Sequence, residues 1–92
     1  MAVDMIIKIE KSGTLLISRP AGKEAASIIL SSFKPQSGIE PIELDFTGVE
    51  VMGPAWLEEV LLTLRDKYGA RVRCLPSANL SVVESLKIIE SP

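Results

Sequence analysis

Alternating hydrophobic and polar positions predict four short β-strands along the chain. In the first stretch, Met5, Ile7 and Ile9 fall on one side of an extended backbone, and the residues between them fall on the other. A polar turn that contains glycine and then a β-rich run follow, so the first two strands are predicted to form a hairpin. The four predicted strands cover residues 5–10, 14–17, 41–46 and 70–75.

Apolar positions spaced three and four residues apart predict three amphipathic helices. The first is predicted over residues 22–33. The second begins at Pro54, whose fixed φ suits a first helical turn, and Gly53 is its cap. Gly69 stands where this helix should end in left-handed geometry, and it therefore has a structural role. The third helix lies near the end of the chain.

The order strand, strand, helix, strand, helix, strand, helix predicts a single α/β domain over residues 1–92. Each strand carries polar side chains on one side, unlike the strands of a doubly wound sheet, so all three helices should pack on the opposite face. Right-handed crossovers then favour a four-stranded mixed sheet in the order 1-2-3-4, with the first strand antiparallel. Such a two-layer domain lacks the reversal of strand order at which nucleotides usually bind. Self-association through the uncovered face of the sheet, which would give a homodimer, is an alternative use of this face.

The composition narrows the class of function. Ten basic and twelve acidic side chains are interspersed and give a net charge of -2, which argues against nucleic acid as a partner. The single cysteine, Cys74, and the absence of histidine remove the usual nucleophile and zinc ligands, so we predict no catalytic residue, metal or cofactor. The apolar run at the amino terminus is too short for a signal peptide or a membrane span. A cytoplasmic, non-enzymatic protein that does not bind membranes is expected.

One long segment resembles a known family. The stretch IELDFTGVEVMGPAWLEEVLLTL, followed by a glycine, the strand ARVRCL and a terminal helix, resembles the STAS domain of sulfate transporters and anti-sigma-factor antagonists. The upstream SRPAGKEAA is similar to the Ser-Arg-x-x-Gly segment of the smaller STAS-like family of largely uncharacterised bacterial domains. Together these segments cover residues 17–90. The resemblance implies a bacterial regulatory module that binds another regulatory protein, such as an anti-sigma-type kinase or ATPase.

The resemblance also implies what this chain lacks. In the antagonist branch, a serine or threonine at the start of the second helix is phosphorylated by the partner. The Asp-Ser-Ser-Gly run of the family falls on residues 53–56, which carry no hydroxyl, so that switch does not transfer to this site. Asp45 matches the strand aspartate of the family and is expected to hold nearby loops.

The start of the second helix is the predicted partner-binding surface, because antagonists present this part of the domain to their partners. It comprises Arg19, Gly53, Pro54 and Trp56. Two interpretations of Trp56 stay open: the ring packs on the edge of the core, or it is an exposed anchor of the kind enriched in interface hot spots.

A small-anion or nucleotide site is the alternative function. Three helix starts should gather at one edge of the sheet, each with N–H groups that lack helical partners. Arg19, Gly22, Ser77 and Asn79 would form such a site. The third helix start has its own structural explanation, since Ser77 or Ser81 can act as its cap.

Overall fold

The computed structural model describes residues 5–32 and 40–90. Five strands and three α-helices are interspersed in these two ranges, which confirms the predicted mixed α/β class with three helices. None of the three helices is both long and apolar enough to cross a membrane. Two short 3-10 turns lie after β1 and before β5, at Ile9–Ser12 and Gly69–Arg71. The strands are β1 (Met5–Lys8), β2 (Leu15–Leu16), β3 (Ile42–Asp45), β4 (Val51–Met52) and β5 (Val72–Cys74), and the helices are α1 (Arg19–Ser32), α2 (Pro54–Tyr68) and α3 (Leu80–Glu90).

All strand pairs in the described ranges are parallel, and they form two sheets. The larger sheet has the order β1-β3-β5, with Ile42 of β3 beside Met5 on one side and Val72 on the other. The smaller sheet pairs β2 with β4 and places Leu15 beside Val51. The strands of the larger sheet step in one direction but omit β2, and β1 is parallel to β3 and not antiparallel as predicted. The single four-stranded mixed sheet is not found.

The predicted amino-terminal hairpin is wrong. After β1 the chain enters a 3-10 turn in which Ile9 is buried, and Gly13 then redirects the backbone at a φ of 127°. The N–H of Gly13 donates to the carbonyl oxygen of Glu10 at 3.0 Å, which closes the turn. Burial of Ile9 carries the chain away from the larger sheet, so β2 pairs with β4 instead of folding back on β1.

The strands of the larger sheet have one buried and one polar face. Leu44 and Val72 are buried among the helices, whereas Ile6, Lys8 and Arg73 on the other face are exposed. This arrangement confirms the period-two pattern in the sequence. Each helix adds an apolar stripe to this core, and the small sheet adds Leu16 and Met52. The largest contribution is that of α2, which supplies Trp56, Leu57, Val60, Leu61 and Leu64.

Helix α1 begins at Arg19, three residues earlier than the sequence predicted. Ser18 caps it, since its hydroxyl oxygen accepts a hydrogen bond from the N–H of Ala21 at 3.2 Å. Pro20 lies in the first turn, where backbone N–H groups have no acceptor within the helix. The N–H that proline lacks is therefore not needed there. The cap therefore precedes the proline, and Gly22 belongs to the body of the helix. Phe33, the predicted end of this helix, lies outside the described residues.

Candidate functional site

The starts of α1 and α2 lie side by side because the two strands that lead into them are paired. The N–H of Gly53 donates to the carbonyl oxygen of Leu16 at 2.8 Å, one residue beyond β4. A β-carbon on Gly53 would lie 3.3 Å from the carbonyl oxygen of Ile17, so glycine allows this close approach. The structure thus brings Gly53 and Pro54 next to the segment that carries Arg19.

Arg19 joins the two helices through an ion pair. One nitrogen of its guanidinium, Nη1, donates to Oε1 of Glu58 at 3.0 Å and to Oε1 of Glu59 at 3.1 Å. Hydrogen bonds to Glu59 and then to Glu58 raise the pKa of Arg19 above its ordinary value. The two glutamates therefore compensate the charge of the Arg19 guanidinium. An anionic ligand at Arg19 would have to compete with two carboxylates.

The expectation that Trp56 is an exposed anchor needs correction. Its side chain is 1% exposed and belongs to the main hydrophobic core. Helix α1 covers the first turn of α2, so almost none of the side chain is exposed to solvent. Of the two interpretations that the sequence left open, core packing is the one the structure favours.

Gly22 allows α1 to cover Trp56. A β-carbon at Gly22 would lie 2.7 Å from the carbonyl oxygen of Trp56 and 3.2 Å from Cβ of Glu59. The N–H of Gly22 is also used, since it donates to the carbonyl oxygen of Ser18 at 3.1 Å. The proposed place of Gly22 in an anion site is therefore corrected to one in helix packing.

Asn79 caps α3 and ties it to the loop before β4. Its Nδ2 donates to the carbonyl oxygens of Val49 at 2.8 Å and Glu50 at 2.9 Å. Its Oδ1 accepts hydrogen bonds from the N–H and hydroxyl of Ser81 and from the N–H of Val82. The amide group is thus fully used within the protein.

Ser77 is used in the same way, because its hydroxyl oxygen accepts a hydrogen bond from the N–H of Asn79 at 3.1 Å. The cap of α3 is therefore Asn79, and not Ser77 or Ser81 as the sequence suggested. Three helix starts do gather around the small sheet. However, the ion pairs of Arg19 and the hydrogen bonds of Ser77 and Asn79 already occupy the side chains that an anion would need at α1 and α3. No cluster of three or more potential metal ligands occurs in the described ranges.

The small sheet carries an apolar surface that the sequence analysis did not single out. Leu15, Ile17 and Val51 are 64%, 56% and 42% exposed, while Leu16 and Met52 between them are buried. Leu15 and Val51 are direct neighbours in the strand register. The alternation of outward and inward residues at 15–17 was a signal in the sequence, but without the pairing with β4 it did not reveal a continuous surface.

Three other predicted positions have structural surroundings that explain them. Asp45 accepts a hydrogen bond from the N–H of Thr47 at 3.0 Å, and this bond holds the pKa of Asp45 below its ordinary value. Gly69 ends α2 at a φ of 66°, where its N–H donates to the carbonyl oxygen of Arg65. Burial raises the pKa of the Cys74 thiol to about 11, so the thiol stays protonated near neutral pH.

Comparison with known proteins gives one match. A family model described as a STAS-like domain of unknown function matches residues 25–75. The matched segment runs from the middle of α1 to the end of β5, and it contains the loop before β4 and the start of α2. Comparison with curated proteins and with solved structures gives no significant match.

Proposed function

We propose that the chain, which belongs to the family of STAS-like domains of unknown function, is a non-enzymatic module that binds another protein. The surface we propose is the outer face of the small sheet together with the adjoining start of α2. It consists of Leu15, Ile17 and Val51, with Gly53 and Pro54 at one end.

The exposed apolar face of the small sheet is the observation that carries this proposal. Strands β2 and β4 bury Leu16 and Met52 but present Leu15, Ile17 and Val51 to solvent. Adjacent exposed apolar residues with a polar rim are typical of interaction sites, whereas single exposed apolar residues are common anywhere. The surface also lies next to the helix start that the STAS resemblance implicates.

The edge of this surface carries charged side chains. Arg19 and Glu58 are both partly exposed while they pair with each other, and their position beside Pro54 gives the apolar face a polar rim. An apolar centre with a polar rim is the usual anatomy of a protein interface. Arg19 therefore stays within the proposed surface as part of that rim, whereas Trp56 is buried and does not belong to it.

The proposed partner is a bacterial regulatory protein of the anti-sigma kinase or ATPase type. Residues 53–56 are Gly-Pro-Ala-Trp and offer no hydroxyl for phosphorylation. We therefore propose that binding at this surface is not controlled by phosphorylation of the α2 start.

A capture experiment tests this proposal. The full chain is used to capture binding proteins from the native host, and the affinity of each purified candidate is then measured by calorimetry. The double substitution Ile17→Ser and Val51→Ser should weaken binding about tenfold or more, as expected for central interface residues.

The matched control is the double substitution Leu62→Ser and Ile88→Ser. These two residues are also apolar and are each 61% exposed, but they lie on α2 and α3 away from the small sheet. The control should leave the affinity within about twofold, since exposed residues outside an interface contribute little. Equal losses in both double variants, or the absence of any specific partner, would contradict the proposed function.

A further inference from the structure

Strand β2 has an open backbone edge. In its pairing with β4, the carbonyl oxygens of Thr14 and Leu16 accept hydrogen bonds from Val51 and Gly53 at 3.0 and 2.8 Å. Backbone groups of successive residues in a strand alternate in direction, so the N–H and C=O of Leu15 point away from β4. Neither group bonds to another residue in the part of the chain that the structure describes.

The opposite edge of the small sheet is closed. The N–H of Met52 donates to the hydroxyl of Ser81 at 3.0 Å, and the hydroxyl of Ser85 donates to the carbonyl oxygen of Met52 at 3.1 Å. Side chains of α3 thus take the place of a third strand beside β4. Proteins commonly protect exposed strand edges. Among residues 5–32 and 40–90, such protection is found at β4 but not at β2.

A cavity of about 300 Å³ lies along the open edge. Leu15 and Leu16 line it from β2, Ala25 and Ile28 line it from α1, and Trp56 also contributes to the wall. Its volume is at the lower end of the range of about 300–1,000 Å³ that is typical of ligand pockets. The cavity therefore has room for an apolar side chain that approaches alongside β2.

We propose that β2 binds an extended segment of a partner protein, which adds a third strand to the small sheet and places one apolar side chain in the cavity. This inference rests on the proposed function, since it specifies how the partner binds. The backbone N–H and C=O groups of an open strand edge can form hydrogen bonds with the backbone of an extended segment. Alternate side chains of the added strand then enter neighbouring pockets.

The charges around the cavity define the segment further. Lys11 and Glu24 both line the cavity, so a segment with one acidic and one basic residue flanking the apolar residue is complementary to it. A second copy of this chain is a poorer occupant. If two β2 edges paired, Leu15 of each copy would already line its own cavity and could not fill the other.

Two substitutions test the strand addition without disturbing the pairing of β2 with β4. Leu15→Pro removes the N–H that points outward, and proline is tolerated at strand edges where this group faces solvent. Ala21→Phe fills the cavity from an exposed position that lines it. Circular dichroism and thermal melting establish that each variant is folded.

The probe is a display library of eight-residue segments with apolar residues at alternate positions. We expect enriched segments to bind the full chain, and each substitution should weaken their binding about tenfold or more. A synthetic copy of the best segment, N-methylated at the amides that would face β2, should lose binding to the same extent. In nuclear magnetic resonance spectra, the amide of Leu15 should shift and exchange more slowly when the unmodified segment binds.

Several outcomes would overturn strand addition. These are a library without enriched segments, undiminished binding to the Leu15→Pro variant, or undiminished binding of the N-methylated segment. Sedimentation that shows a dimer lost on Leu15→Pro would instead assign the edge to a second copy. If Ile17→Ser with Val51→Ser abolishes partner binding while Ala21→Phe does not, the proposed function stands and strand addition is wrong.

Discussion

Gly22 of α1 lies against the backbone of Trp56 in α2, so closely that a β-carbon on the glycine would be 2.7 Å from the tryptophan carbonyl oxygen. This contact lets α1 bury the Trp56 ring. Arg19, one turn earlier, then reaches Glu58 and Glu59. Residues that the sequence associated with recognition thus join two helices and set the position of the small sheet that precedes them.

Substitution of Gly22 by alanine should destabilise the protein. Alanine is favoured over glycine within a helix by about 1 kcal/mol, but here its methyl group would collide with the Trp56 backbone, and overpacking costs about 1–3 kcal/mol. We expect the free energy of unfolding, measured by urea titration, to fall. Ser27→Ala on the exposed face of the same helix is the control and should not lower it. A Gly22→Ala variant as stable as the wild type would show that the helices can separate without cost.

Substitution of Trp56 by alanine should reduce stability by about 3–5 kcal/mol, as for other large aromatic side chains removed from a core. The free energy of unfolding can be followed by circular dichroism. Leu62→Ala removes an exposed apolar side chain from the same helix. It should change the free energy of unfolding by less than about 0.5 kcal/mol. If Trp56→Ala prevents folding, Trp56→Phe should give a smaller, measurable loss. Equal effects of Trp56→Ala and Leu62→Ala would contradict the burial of the ring.

The two roles of Asn79 can be separated by two substitutions. Asn79→Ala removes both the cap of α3 and the bonds to Val49 and Glu50, and it should cost about 2 kcal/mol. Asn79→Ser keeps a capping oxygen but loses the bonds to the loop, so its cost should be about 1 kcal/mol. Chemical denaturation measures both values. Equal losses would mean that the cap contributes nothing.

The Asp45 carboxylate should stabilise the turn in a pH-dependent manner. Its bonds to the backbone and side chain of Thr47 lower its pKa in the folded state. The resulting stabilisation is complete above the ordinary pKa of an unfolded aspartate, and it is lost as the pH falls through the lowered pKa of the folded state. Carbon-13 titration of the carboxyl group measures this pKa.

Thr47→Ala provides the comparison for Asp45, because it removes the hydroxyl but keeps the backbone N–H. The pKa of Asp45 should rise part of the way toward its ordinary value. Titration of the wild-type chain unfolded in urea gives the reference. An Asp45 pKa that is equal in the folded and unfolded chains would contradict the role of the Thr47 bonds.

Local patterns in the sequence predicted the elements better than their pairing. The alternation of Ile42, Leu44 and Phe46 identified β3 and its buried face, and Pro54 and Gly69 marked the limits of α2 correctly. These signals depend on neighbours within a few residues. The partner of β2 depends instead on residues more than thirty positions away, and a polar turn with glycine suits a 3-10 turn as well as a hairpin.

The candidate site was harder to predict for the same reason. The position of Trp56 in a first helical turn does not reveal which element buries it. Its burial depends on Gly22, which lies in another helix. Asn79 was recognised as a polar residue near a helix start, but its bonds to Val49 and Glu50 cross the fold. The apolar face of the small sheet became visible only when Leu15 and Val51 were found side by side.

The absence of a hairpin among the described residues has a consequence for synthesis on the ribosome. The strand partners nearest in sequence are in β3 and β5, where Ile42 pairs with Val72, thirty residues later. A nascent chain that has emerged as far as α1 contains β1 and β2 but neither of their partners. Its sheets therefore cannot start from a hairpin of neighbouring strands. The first strand pair can form only after β3 has been translated.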